Sequence, residues 1–218
     1  MDQKLLFLIN GEWTSPALDR FMALMSCLPA WLPLLLLAGL LALWRGGFRA
    51  RAFIVTAGLI VGLSDGVISR NLKRAVDRPR PPQVLGERVR VVDLAKATPR
   101  LLALARPAQV KRVAAASDFE KIEGRSFPSS HTMNMTAAAL VAACFYRRRG
   151  WLAFVPALLV GYSRVYVGAH WPSDVVTSIF LALGSTLLLL ALCEMLWRRQ
   201  AARFFPQLHA AHPSLFAA

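Results

Sequence analysis

Apolar residues in this chain fall into long runs separated by short clusters of arginine. A window of about 19 residues, enough to cross roughly 30 Å of hydrocarbon, picks out five such runs. Residues 21–44 carry no charge, and Pro29 and Pro33 lie inside them, which a membrane helix tolerates. Residues 52–69 form the second run, interrupted by Asp65. Residues 132–146 form a short third run, which lengthens if residues 129–131 make its first turn. Residues 150–168, with Arg164 near the end, and residues 174–197 complete the set. The pattern predicts an all-α integral membrane helical bundle of about five transmembrane helices, a single domain over residues 1–218.

Two stretches fall outside the spans. Residues 1–20 combine Leu5 to Ile9 with Gly11, Trp13 and Pro16, a pattern suited to a segment lying in the interface. Residues 82–125 mix basic and acidic residues with short apolar stretches, and the length argues against a structureless loop. Short amphipathic helices on the membrane surface are expected there. The first apolar run is too long for a signal peptide and ends at Arg45, Arg49 and Arg51, a stop-transfer pattern.

Composition sharpens this picture. Of 218 residues, 56% are hydrophobic, which excludes an ordinary soluble enzyme and a disordered tail. The formal charge of +14, from 26 basic and 12 acidic residues, is compatible with nucleic acid, a membrane surface or an anionic substrate. Placement of the cations at the edges of the apolar runs favours the membrane and excludes nucleic acid. The three cysteines lie far apart in apolar stretches, with neither a disulfide framework nor zinc-ligand spacing.

Five spans alternate in direction, so the end of the second, the start of the third, the end of the fourth and the start of the fifth share one face. Those places read LKRAVDRPRP (72–81), RSFPSSHT (125–132) and SRVYVGAHWPSD (163–174). Interfacial anchoring accounts for arginines at helix ends. It does not account for two histidines, paired serines and an aspartate on the same face.

The order Lys73, Arg80, Pro81, then Pro128, Ser129, Ser130, His131, then Ser163, Arg164, His170, Asp174 resembles the three-part signature of the type 2 phosphatidic acid phosphatase superfamily. These are integral membrane lipid phosphatases, related in their active site to vanadium haloperoxidases. The similarity covers about residues 21–197, with the 82–125 insert outside it. One departure is Ser130, where the family usually has glycine. A side chain there is tolerable on helical backbone and troublesome at positive φ.

Phosphate ester hydrolysis needs on the order of 20 kcal/mol or more of transition-state stabilisation, chiefly from fixed positive charge and N–H donors around the phosphoryl oxygens. Lys73, Arg80 and Arg164 supply charge, and the guanidinium fork can bind two oxygens at once. Pro79 and Pro81 push Arg78 and Arg80 toward extended backbone, so the helix carrying Lys73 should end before Arg78. Ser129 and Ser130 stand where the third helix begins, as an anion site or, for Ser129, a plain N-cap. Arg78 is divided between a headgroup contact and a phosphate role. His170 and Asp174 are four residues apart, close enough for a carboxylate to fix the imidazole tautomer.

The resemblance implies that His170 attacks phosphorus, forming a phosphohistidine, while His131 protonates the leaving oxygen and later activates water. Asp65, an acid two turns before Lys73, is expected behind the site, as a partner for Ser69 or a nearby base, or in a catalytic role. No metal or other cofactor is expected, since carboxylates are few and the arginines repel a cation.

Lysine and arginine counts are balanced between the two faces. Discounting the catalytic cations and the mixed-charge insert, the positive-inside rule puts the arginine-rich short loops in the cytoplasm. Together with the resemblance, this implies a bacterial inner membrane protein whose site faces the periplasm. The expected partner is a phosphorylated lipid within the membrane: undecaprenyl diphosphate, lipid A phosphate, phosphatidylglycerol phosphate or phosphatidic acid. A lipid phosphotransferase with the same intermediate, and a non-catalytic lipid-phosphate binder or transporter, are the alternatives. The oligomeric state is not legible.

Overall fold

The computed structural model describes residues 1–98, 100–112 and 125–216. The chain is mostly helical, as the apolar pattern predicts. Helix α1 (Asp2–Phe7) runs on through a π-turn (Leu8–Glu12), and α2 follows at Pro16–Ser26. Ser15 caps α2 by accepting the Leu18 N–H at 3.2 Å, and Pro16 takes the first helical position, where its missing donor costs nothing. Helix α3 spans Leu28–Arg45. Helix α4 (Phe48–Leu63) continues through a π-turn (Ser64–Ser69) into α5 (Arg70–Val76). The short α6 (Pro81–Leu85) opens the insert, and α7 (Ser130–Gly150), α8 (Phe154–Tyr166) and α9 (Pro172–Leu196) complete the bundle.

Three stretches among the described residues are long and apolar enough to cross a membrane: Leu28–Arg45, Phe48–Arg88 and Pro172–Phe204. Helix α3 is only 6% buried, so nearly all its leucines are left for lipid. Helix α7 forms the interior of the bundle, while α8 packs one face on it and leaves Val155 and Leu158 exposed. The former packs on α4, α8 and α9 around Ile60, Leu140, Val141, Phe145 and Leu190.

The structure departs from the sequence expectation in two places. The first apolar run is two helices, broken at Cys27 (φ −97, ψ 84). Pro29 has no N–H to give the Met25 carbonyl, so the older helix cannot run on through it, whereas a proline in the first turn of a new helix costs nothing. Over its described residues the insert is not a set of amphipathic helices. Strands β1 (Val91–Asp93) and β2 (Gln109–Lys111) pair antiparallel, Val91 opposite Lys111, with a 3-10 turn (Arg100–Ala105) between them. Residues 113–124 of the predicted insert lie outside the described residues.

The N-terminal segment, the ribbon and the end of α8 share one core of Leu6, Ile9, Met22, Val89, Val92, Leu94, Tyr166 and Trp171. Within it Asn10, 1% exposed, donates to the carbonyls of Tyr166 (2.6 Å) and Arg90 (2.8 Å) and accepts the Arg90 N–H. Asp19 joins the Arg90 guanidinium (2.7 Å) to the Tyr166 hydroxyl (2.7 Å). Residues 1–20 are therefore a wall of the fold as well as an edge segment.

Candidate active site

Helix α5 ends where the proline pattern predicts. Asp77 adopts left-handed backbone (φ 47) and its N–H returns to the Lys73 carbonyl at 3.2 Å. Lys73 is thus left in the last turn, while Arg80, at extended φ −77, begins α6 with its N–H on Gln83 Oε1 at 2.6 Å. At the other side of the site α8 ends at Tyr166 and the chain turns at Gly168, whose φ of +77 suits glycine. A Cβ there would lie 2.5 Å from the Arg90 carbonyl oxygen. The turn sends the N–H groups of Ala169 (3.0 Å) and His170 (3.1 Å) back to the carbonyl of Arg164, so the third motif is closed on itself.

Ser126 ties the three motifs together. Its N–H donates to the Arg78 carbonyl at 2.8 Å, its carbonyl lies 2.6 Å from His170 Nδ1, and its hydroxyl donates to Asp174 Oδ2. A carbonyl only accepts, so Nδ1 carries the proton and Nε2 of the neutral ring keeps its lone pair. His170 is 2% exposed. Burial, reinforced by Arg164 and Arg80, holds its pKa well below the ordinary 6.5, against the Ser126 hydrogen bond, so the ring is neutral at pH 7.

The four-residue spacing predicts a direct Asp174–His170 pair, but the two are not hydrogen-bonded: Oδ2 is 3.9 Å from Nδ1. That oxygen takes the Ser126 hydroxyl and the Trp171 N–H (3.1 Å), and Oδ1 takes Arg78 at 2.6 Å. Ser126 thus stands between the carboxylate and the ring.

Arg78 is committed elsewhere than to phosphate. Its guanidinium bridges Asp174 and Asp2 (2.8 Å), donates to Ser173 Oγ (2.8 Å) and lies over the Trp171 ring at 5.4 Å. Asp2 also accepts the Ser173 N–H and hydroxyl. Burial raises the Asp2 pKa, but the Ser173 and Arg78 bonds outweigh it and hold the carboxyl below its ordinary value.

Ser129 is buried and its groups are used internally: its N–H donates to Ser178 Oγ and its hydroxyl accepts from Thr132, both at 2.9 Å. Neither the anion site nor a side-chain cap is realised at this residue. Ser130 begins α7 without positive φ, and its hydroxyl pairs with Ser69 Oγ at 2.7 Å. Asp65 therefore does not hold Ser69. It sits on the π-turn, in electrostatic range of Lys73 and His131.

Lys73, Arg80 and Arg164 all lie in electrostatic range of both His131 and His170. The Nε atoms of Arg80 and Arg164 are buried without hydrogen-bond partners, although another nitrogen of Arg164 reaches Ser26. Three cations in range of one another, two of them with a buried donor unused, are an arrangement suited to an anion. Arg80, His131 and Arg164 line a cavity of about 640 Å³, and His170 directly follows the lining residue Ala169. A second cavity of about 360 Å³, lined by Met25, Leu28, Trp31, Leu35 and Val160 with Asp65 at its side, shares His131. Among the described residues no three His, Cys, Asp or Glu side chains cluster as metal ligands.

The sequence profile of the PAP2 superfamily matches residues 51–198. The chain belongs to this superfamily. With its spanning helices, this PAP2 protein is an integral membrane protein. It is 40% identical over 58 residues to the undecaprenyl-diphosphatase BcrC of Bacillus subtilis, a match covering 27% of this chain and 30% of that protein. It is 25% identical over 182 residues to the lipid A 4'-phosphatase of Bacteroides thetaiotaomicron, covering 81% and 69% respectively. The crystal structure of Aquifex aeolicus LpxE superposes with a TM-score of 0.58 at 24% identity over 87% of this chain and 94% of that one, a likeness of fold. The departure of this PAP2 chain at Ser130 falls on helical backbone, where a side chain fits.

Sequence reasoning missed Ser126, Asp2, Ser26 and Gly168. Ser126 stands inside the second motif, but it holds Arg78 and His170 through main-chain groups, which residue type does not announce. Asp2 and Ser26 reach the site from more than 70 residues away.

Proposed function

We propose that this chain is a metal-independent membrane lipid phosphatase that cleaves a lipid phosphate monoester or diphosphate through a phosphohistidine on His170. The observation that carries the reading is that one set of cations, Lys73, Arg80 and Arg164, flanks both histidines. Nε2 of His170 attacks phosphorus as the bond to the lipid oxygen breaks, and His131 gives its proton to that oxygen. His131 then takes a proton from water, whose oxygen displaces Nε2 and releases inorganic phosphate. The three cations offset the charge growing on the phosphoryl oxygens in both steps.

The apolar second cavity supports a lipid substrate, since it adjoins His131 and offers surface to an acyl or isoprenoid tail. Relatives named for undecaprenyl diphosphate and lipid A support the same substrate class. The site would face the periplasm across a bacterial inner membrane, opposite the loops holding Arg45, Arg49, Arg51 and Arg147 to Arg149.

Phosphate release from a panel of lipid phosphates in detergent with EDTA tests the proposal. His170→Ala and His131→Ala should each lower release by at least about a hundredfold. Label from a phosphoryl-labelled lipid should be trapped on wild type and not on His170→Ala. Turnover by His170→Ala at the wild-type rate would overturn the mechanism. Label recovered on a second lipid rather than as inorganic phosphate would identify a phosphotransferase.

A further inference from the structure

The main cavity is larger than one phosphoryl group requires, and its far wall comes from the insert. Ribbon residues Asp93, Gln109 and Lys111, with Lys96 just beyond β1, line it together with Arg80, His131 and Arg164. The register explains the placement. Val91 faces Lys111 and Asp93 faces Gln109 across the ladder, and side chains two apart on a strand share a face. The intervening Val92 is buried, with its N–H on the Val167 carbonyl at 3.3 Å, which anchors the ribbon to the turn before His170.

Among the described residues neither Lys96 nor Lys111 has a side-chain hydrogen bond or ion pair, although Asp93 stands on the same ribbon. Asp93 is instead in electrostatic range of Arg164. The cavity therefore presents four cations, Arg80, Lys96, Lys111 and Arg164, against the single carboxylate of Asp93. A phosphate monoester brings about −1.5 to −2 charges at pH 7, which the motif cations already match. Two further ammonium groups, exposed on a separate element at the rim of the same cavity, suit a further anionic group.

Resting on the phosphatase reading, we infer that the ribbon is a second phosphoryl subsite: Lys96 and Lys111 hold the other phosphoryl group of a lipid diphosphate while Arg80 and Arg164 hold the one attacked. The bond broken is then the phosphoric anhydride bridge. The leaving group is a lipid monophosphate, whose new negative charge the two lysines offset.

Binding of non-hydrolysable lipids tests this without turnover. Wild type and Lys96→Ala/Lys111→Ala, purified as the full chain in detergent, are titrated with an isoprenoid methylene-bisphosphonate and with the monophosphonate of the same tail. Wild type should bind the bisphosphonate at least about tenfold more tightly, and the double variant should lose that preference while its monophosphonate affinity stays within about twofold. No preference in wild type, or a preference that survives in the variant, overturns the subsite. If the alanine variant loses both ligands, Lys96→Gln/Lys111→Gln decides, and loss of both ligands there also overturns it. Absence of hydrolysis by wild type on every lipid phosphate would sink the phosphatase reading, while the binding comparison would still decide the subsite.

Discussion

Nδ1 of His170 lies 2.6 Å from the carbonyl oxygen of Ser126. The ring's orientation is therefore set by main chain, and Asp174 fixes that main chain by gripping the Ser126 hydroxyl. Two changes should separate these roles. Ser126→Ala keeps the carbonyl and should lower kcat by only about tenfold, with Nδ1 still protonated in the imidazole nitrogen spectrum. Asp174→Ala strips Arg78, Ser126 and the Trp171 N–H of a fully buried partner and should cost about 3–5 kcal/mol of stability. Equal losses of thermal stability in the two variants would contradict this division.

Acid should act on His170 late. Because the folded pKa of His170 lies well below 6.5, kcat/KM should hold its plateau as pH falls past about 6.5. Arg80→Ala removes one of the cations holding that value down and should shift the acid limb upward. The sign for stability is the reverse of a salt-bridged histidine: the contribution is complete above the unfolded value of about 6.5 and is lost as pH falls through the folded one. In His170→Gln the decline of the melting temperature between pH 7 and 5 should flatten.

The two arginines of the first motif should fail differently. Arg80, with an unused buried donor, should lose at least about a hundredfold in kcat/KM as alanine, with little change in melting temperature. Arg78→Ala leaves Asp174 without its cation and should lower the melting temperature more than Arg80→Ala does. Matching kinetic and thermal profiles for the pair would refute the assignment.

Gly168→Ala should be severe. The new Cβ meets the Arg90 carbonyl at 2.5 Å and forces a left-handed conformation on an L side chain, a combined cost above about 2 kcal/mol. Loss of activity and a lower melting temperature should come together. A variant with unchanged melting temperature and activity would show that the ribbon does not press on this turn.

What the sequence made legible was local. Lys73, Arg80, His131, Arg164 and His170 stood at the ends of apolar runs, and spacing alone put them on one face. The proline pair at 79 and 81 announced the end of α5. Illegible were contacts between distant segments: the Asp2 carboxylate on Arg78, the Asn10 amide on Tyr166, and the Val92 N–H on Val167. Three-residue strands such as β1 carry too little alternation to be told from loop. The break at Cys27 was hidden because Pro29 and Pro33 sat in a run apolar enough to read as one span.

Asp2 receives the Ser173 N–H across 171 positions of chain. Segments inserted one after another into a bilayer can form most of the bundle from neighbours, but this contact must wait for the last long helix. The loop bearing His170 is consequently among the final parts to lock, and its closure carries a long-range entropic penalty. The first helix and the last long one thus hold the His170 loop between them, and the site is complete only when the two ends of the fold meet.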